Sequence, residues 1–161
     1  MLKEFTLDEL EDVYEIYSYY VLNSTATFDI AVPEKRAFGD RMLSIAAKYP
    51  FIVYMQEGRV AGYAYASEFR SKDAFAGTAE LTIYLDPQVQ GKGIGSKLME
   101  VLIRELKLRG FITAVSVVTQ PNEASEYLHN KFGFSLTGTL PCAGFKFNKY
   151  LSISFYYLDL R

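Results

Sequence analysis

The stretch from Glu80 to Ser96 constrains this chain more than any other. A run rich in β-branched and aromatic residues stops at Asp86-Pro87, glycines stand at Gly91, Gly93 and Gly95, and an apolar helical pattern runs from Ile94 to Leu108. Strand, glycine turn and helix in close succession leave backbone N–H groups at the positive end of a helix dipole, which is the makeup of an anion cradle. Two common glycine cradles do not fit. A phosphate loop needs Gly-x-x-x-x-Gly-Lys-Ser/Thr, whereas Gly95 is followed by Ser96, Lys97 and Leu98. A dinucleotide fingerprint needs a third glycine where Ser96 stands and an acidic residue about twenty positions on, and no Asp or Glu lies between Glu105 and Glu123.

The rest of the chain bounds what can surround such a cradle. With 161 residues, 50% of them hydrophobic and 16% aromatic, a single packed domain over 1–161 is expected and global disorder is excluded. A net charge of −2 gives no broad electrostatic case for nucleic acid. One cysteine rules out an intramolecular disulfide framework and a cysteine-rich zinc site, and one histidine argues against most zinc enzymes, so no metal is expected. No apolar run approaches the length of a membrane span. Glu4, Asp8 and Glu9 stand where a signal peptide would be apolar. The expectation is a soluble, reducing, cytoplasmic protein without membrane partners.

In chain order, Leu2–Phe5 reads as a short strand. Thr6 and Glu9 have capping-box spacing and open a helix to about Leu22, with Leu10, Val13, Ile16, Tyr17 and Tyr20 on one face. Asn23–Phe28 is a polar loop. Pro33 suits the first turn of a second helix lined by Phe38, Met42, Ile45 and Tyr49, which Pro50 ends. Phe51–Gln56 and Arg59–Glu68 read as a hairpin turning at Glu57-Gly58, with Thr78–Asp86 as a third strand after a polar loop from Arg70 to Gly77. After the glycine turn and its helix, Gly110 is a stop signal. Phe111–Thr119 is apolar enough to be a strand buried on both faces. Asn122 caps a short helix to Phe132, Gly133 ends it, and Phe134–Leu140 and Leu151–Leu160 close the chain as strands joined by a loop or hairpin from Pro141 to Tyr150. Helices first, then antiparallel strands, then one β-α-β-α-β passage describe a mixed α/β (α+β) domain.

Gln90-Gly-Lys-Gly93-Ile-Gly95 is a Gln/Arg-x-x-Gly-x-Gly/Ala loop, and it resembles the acetyl-CoA signature of the GNAT superfamily of N-acetyltransferases. Asp86-Pro87 before it, and Pro121-Asn122 and Leu128-His129-x-x-Phe132-Gly133-Phe134 after it, follow the family's order. Ser24-Thr25-Ala26-Thr27-Phe28, Tyr49-Pro50, Gly62–Ala66, Ala79-Glu80 and Ala143-Gly144-Phe145-Lys146 extend the resemblance over nearly the whole chain to the phosphinothricin and methionine sulfoximine N-acetyltransferase branch.

That resemblance implies a GNAT fold: a central, mostly antiparallel mixed sheet flanked by helices and splayed at the acetyl-CoA site. It implies direct transfer of acetyl from acetyl-CoA to the amino group of a small amino-acid-like acceptor, in a homodimer. The cofactor site would comprise Gln90, Gly91, Lys92, Gly93, Ile94, Gly95 and Ser96 on the phosphates, Ile83, Tyr84 and Leu85 beside the pantetheine arm, and Asn122. A backbone N–H of that strand would donate to the thioester carbonyl, where charge develops. Glu80 matches the branch's glutamate and is expected as the base, directly or through water. His129 stands where many members have a tyrosine that protonates the leaving thiolate, so it is expected as the acid or as a polar partner of Glu80. Phe28, Phe69, Arg70, Lys72 and Lys146 are the expected acceptor contacts, with Arg70 or Lys72 pairing a substrate carboxylate. Cys142 is expected to be inert.

Past Gly144-Phe-Lys146 the chain departs from the branch pattern: Tyr150 replaces a tryptophan, and Leu151-Ser152 replaces a His-Asp pair. Acetylation of protein N-termini or lysines, and CoA binding without chemistry, remain alternative readings of the same residues.

Overall fold

The computed structural model describes residues 1–89 and 91–161; the expected cradle residue Gln90 lies outside the described residues. Seven strands form one sheet in the order β1-β2-β3-β4-β5-β7-β6. They are β1 (Leu2–Glu4), β2 (Phe51–Gln56), β3 (Arg59–Glu68), β4 (Thr78–Leu85), β5 (Thr113–Thr119), β6 (Ser135–Lys146) and β7 (Lys149–Asp159). All neighbouring pairs are antiparallel except β4 and β5. The helices are α1 (Leu10–Asn23), α2 (Lys35–Ala46), α3 (Ile94–Leu108) and α4 (Glu123–Lys131).

Local chemistry explains most of these boundaries. Thr6 and Glu9 form the expected capping box, with the Thr6 N–H donating to Glu9 at 2.9 Å, over a 3-10 turn that leads into α1. The second helix begins later than Pro33 suggests. Glu34 is its N-cap, and its carboxylate accepts from the Arg36 and Ala37 N–H groups, so Pro33 lies outside the first turn. The β2–β3 hairpin turns at Glu57 and Gly58, both with positive φ, as Glu57-Gly58 predicts. The expected loop at 141–150 is mostly strand. β6 continues to Lys146, and the hairpin turns on Phe147 and Asn148, with φ of 50° and 61°.

Two apolar layers cover the sheet. On one side α3 buries Ile94, Leu98, Met99, Leu102 and Leu106, at i, i+4 and i+8 spacing, against Ile52, Ala64, Leu81 and Ala114. On the other, α1 and α2 bury Val13, Tyr17, Val21, Phe38 and Met42 against Phe51, Val53 and Tyr63. That second layer contains no β5 residue, so β5 buries Ala114, Ser116 and Val118 alternately, with Thr119 at its end, instead of both faces. It is shorter than the expected Phe111–Thr119 because the Phe111 N–H bonds back to Leu106 at the end of α3 and the Ile112 N–H to Gly77.

The sheet opens in the middle. β4 pairs with β5 only through Thr78, Ala79 and Glu80, opposite Thr113, Ala114 and Val115. β4 then runs on to Leu85 and β5 to Thr119 without pairing to each other, while β3 stays paired with β4 as far as Leu85. The expected splay lies here.

Candidate active site

The opening between β4 and β5 becomes a cleft of about 840 Å³. Its walls include Glu80–Leu85 from β4, Ser116–Thr119 from β5, Asn23–Phe28 from the α1–α2 loop, Asn122 and His129 from α4, and Gly91 and Gly95 from the glycine turn. The structure thus brings Glu80, His129, Ile83, Tyr84, Leu85, Gly91, Gly95, Asn122 and Phe28 to one cleft.

At one end stands the turn before α3. Gly91 and Gly93 have φ of 80° and 77°, a left-handed region that an L side chain enters only at a cost of about 1–2 kcal/mol. Gly93 is the N-cap, no side chain caps the turn, and no acidic residue occupies it. The first N–H groups of a helix have no intrahelical acceptor, so this end is built to receive an anion. Sequence reading missed a cation here: Lys131 at the end of α4 donates to Ser96 Oγ at 2.9 Å. Its separation of 35 residues from Ser96 left no local signal. Lys97 lies over the Tyr54 ring, and Lys92 is exposed.

Glu80 stands where strand pairing ends. Its side chain is half-buried, and no hydrogen bond holds its carboxylate among the described residues. Burial pushes the carboxyl above its ordinary range, and the positive charge of Arg70 pulls it part of the way back. A carboxylate in that state accepts a proton more readily than one in water.

His129 is buried on α4, its ring edge-on to Phe134 and tilted over Tyr156. Its Nδ1 lies 2.6 Å from the Ser125 carbonyl, one helical turn back. A carbonyl only accepts, so Nδ1 carries the hydrogen and Nε2 presents a lone pair. Nε2 is buried without a partner among the described residues. Burial pushes the imidazole below its ordinary value, with the Ser125 carbonyl opposing. Burial thus favours the neutral imidazole, which makes no hydrogen bond to Glu80 among the described residues; its buried lone pair calls for a donor inside the cleft.

Tyr20 donates to the Leu85 carbonyl at 2.7 Å and fixes the end of β4. Asn122 Oδ1 accepts from the Ser125 N–H at 3.1 Å as helix cap while lining the cleft.

The remaining expected acceptor contacts are scattered. Phe28 lines the cleft; Phe69, Arg70, Lys72 and Lys146 do not. Arg70 lies over the Phe69 ring at 4.4 Å and donates to the Phe69 carbonyl. Phe69 packs edge-on to Phe75, and Lys72 sits exposed at the cap of a 3-10 turn. Lys146 is buried, its ammonium directed at loop carbonyls. Cys142 is an exposed thiol on β6.

The acetyltransferase (GNAT) family profile matches residues 7–134. The chain is 36% identical over 149 residues to an L-amino acid N-acyltransferase of Escherichia coli, covering 92% of this chain and 87% of that protein. It is 34% identical over 151 residues to an L-methionine sulfoximine/L-methionine sulfone acetyltransferase of Salmonella typhimurium, covering 92% and 87%. The crystal structure of a phosphinothricin acetyltransferase from Sinorhizobium meliloti in complex with acetyl-CoA superposes with a TM-score of 0.96 at 34% identity, covering 99% of this chain and 87% of that one.

Proposed function

The chain belongs to the acetyltransferase (GNAT) family, and from that membership we propose that it transfers acetyl from acetyl-CoA to the amino group of a small amino-acid-like acceptor. The observation that carries this reading is the opened seam between β4 and β5, with a glycine turn at one end and, at the other, a partly buried carboxylate that has no hydrogen-bond partner among the described residues. Acetyl-CoA would supply an acyl carbon activated by its thioester. The remaining work falls to the chain.

Gly91, Gly93, Gly95 and Ser96 would hold the phosphates through backbone N–H groups, with Ile94 starting the helix behind them and Lys92 or Lys131 adding charge. Among the described residues the edge of β4 at Ile83, Tyr84 and Leu85 has no strand partner on the β5 side, so the N–H groups that face that side would be available to a pantetheine amide and to the thioester carbonyl, while the Leu85 carbonyl already accepts from Tyr20. Asn122 would close that wall.

Glu80 would take the proton from the acceptor's ammonium, directly or through a water, to free the nucleophilic lone pair. When the amide bond forms and the carbon–sulfur bond breaks, one proton must leave nitrogen and one must reach sulfur. His129 holds no proton on Nε2 at the outset, so it would act as the acid only after gaining one there: a relay more than a standing acid. An α-amino acid-like acceptor is supported by relatives named for L-amino acids and for methionine sulfoximine and sulfone. Phe28 would face its side chain, and Arg70, whose charge acts on Glu80, would stand nearest its carboxylate. A homodimer is supported by the β6–β7 arm, which exposes Leu136, Leu140, Phe145, Phe147 and Tyr150. The proposed setting is the cytoplasm.

The test is transfer of labelled acetyl from acetyl-CoA to a panel of L-amino acids, methionine sulfone, methionine sulfoximine, phosphinothricin and short peptides. Transfer to one of the small α-amines and not to peptides is the expected result. Preference for peptides would move the function to protein acetylation. Acetyl-CoA binding with no transfer to any amine would make the chain a non-catalytic CoA module.

A further inference from the structure

One wall of the cleft is the α1–α2 loop. It has no regular secondary structure between Ser24 and Glu34, yet it carries Phe28. Only Thr27 of this loop is buried, and carbonyls turned inward beside it must find donors; here they come from the far end of the chain. Lys146 is 3% exposed. Its Nζ donates to the Ser24 carbonyl at 2.7 Å, the Thr27 carbonyl at 2.8 Å and the Tyr20 carbonyl at 3.4 Å. An ammonium has three protons, so none is left for a ligand. No carboxylate lies within ion-pair distance of it among the described residues; the carbonyl dipoles, the Phe147 ring 5.0 Å away and the negative charge of Asp29 offset its own.

Two residues earlier on the same strand, Gly144 lies under the Phe28 ring. A Cβ there would stand 2.1 Å from Phe28 Cε1 and 2.4 Å from Cδ1, so any side chain at 144 would expel the ring. Ala143 lines the cleft beside it. A second latch reaches the loop from α1: the Tyr17 hydroxyl meets Thr27 Oγ1 at 3.1 Å and donates to Asp29.

We propose that Lys146 is a positioning residue for acceptor binding: by tying the carbonyls of Ser24 and Thr27 to β6, it holds Phe28 on Gly144 and so shapes the acceptor side of the cleft. This replaces direct substrate contact as its role. Its link to the acceptor rests on the acetyltransferase reading; its link to the loop does not.

The experiment compares the wild type with Lys146→Met, which keeps length and removes every donor. The first readout is amide hydrogen exchange, which needs no substrate. The Ser24, Ala26 and Asp29 amides are bonded to Tyr20 O, Ser24 Oγ and Thr27 Oγ1. In the variant they should exchange at least tenfold faster, with α3 unchanged. The second readout is kinetic: acceptor KM should rise about tenfold while acetyl-CoA affinity stays within twofold, and Lys146→Arg should recover part of the loss. Unchanged exchange in the loop, acceleration spread equally over α3, or parallel weakening of both substrates would overturn the proposal. Lys146→Gln keeps a donor and decides by the same exchange readout if Lys146→Met does not fold. A wild type that acetylates no amine would refute the acetyltransferase reading and leave the exchange result to judge Lys146.

Discussion

Replacing Glu80 by Gln separates chemistry from stability, because the two should move in opposite directions. Burial raises the carboxyl's pKa in the folded protein above the ordinary 4.5, against the pull of Arg70. A group raised on folding contributes stability that is fully present below its unfolded value and lost as pH rises through its folded value. At pH 7.5 the ionised Glu80 therefore opposes folding, and Gln does not carry that charge. The side chain keeps part of its contact with solvent, which limits the gain to about 0.5–1 kcal/mol. For a chain of this size that is a Tm higher by roughly 1–4 °C at pH 7.5. At pH 4, where the wild-type carboxyl is itself protonated, the gain should vanish. Catalysis should fall, because a positioned base contributes about 10²–10⁴-fold, equivalent to about 2.7–5.4 kcal/mol of barrier. Acetyl-CoA affinity should hold within twofold, since the glycine cradle is built from other residues. The assays are steady-state transfer to the acceptor identified by the panel, titration calorimetry with acetyl-CoA, and melting curves at the two pH values. Turnover within threefold of wild type would refute Glu80 as the base. An equal gain in Tm at pH 4 and pH 7.5 would refute the electrostatic account of its burial.

Gly93→Ala forces an L residue to φ of 77°, at about 1–2 kcal/mol; if the turn relaxes to avoid it, acetyl-CoA affinity should drop about tenfold by calorimetry, and unchanged affinity with unchanged Tm would count against the cradle. His129→Phe keeps the ring packed on Phe134 and Tyr156 but removes Nε2, so transfer should fall about 10²-fold with acetyl-CoA affinity preserved. The same variant should flatten stability at acid pH: a buried neutral imidazole keeps its contribution above the ordinary 6.5 and loses it as pH falls toward the depressed folded value. A wild type and variant with parallel stability profiles below pH 6.5 would contradict that. Leu102→Ala empties a site with 0% exposure beneath the sheet and should cost about 2.7–5.0 kcal/mol in urea unfolding, with a loss under about 1 kcal/mol refuting the packing assigned to α3.

Features that depend on neighbours in sequence could be read before the structure. The Thr6–Glu9 capping box, the Glu57-Gly58 hairpin, the α3 stripe and the glycine turn before it are each set within a few residues. Glu80 and His129 were singled out through family resemblance, and their chemical states emerge only from tertiary contacts. The lone pair on His129 follows from the Ser125 carbonyl and from burial by Phe134 and Tyr156. Pro33 misled because Glu34, with a carboxylate able to take two N–H groups, is the better cap. Lys146 is expected as a substrate contact by family resemblance alone; that its ammonium turns to the Ser24 and Thr27 carbonyls, 122 and 119 residues away, is something no side-chain pattern reveals. The extent of β6 was equally hidden: irregular pairing between Leu140 and Gly144 breaks the alternation that would have marked it as one strand.

The three-residue pairing of β4 with β5 has a consequence for the protein's lifetime. Among the described residues, strands β1–β4 and β5–β7 are joined edge to edge by the Thr78–Glu80 and Thr113–Val115 pairing and by the Gly77 carbonyl, which accepts from the Ile112 and Thr113 N–H groups. A ligand lying along the free edge of β4 and touching α4 acts as a crosslink between the two halves of the sheet. By mass action, a ligand at a hundred times its Kd adds about 2.7 kcal/mol to the native state. The same wedge is thus the place where the sheet itself contributes least to joining its halves, which are otherwise held by the core under α3. A cell rich in that ligand would hold more of the protein folded and out of reach of proteases than a starved one, with no change in its synthesis.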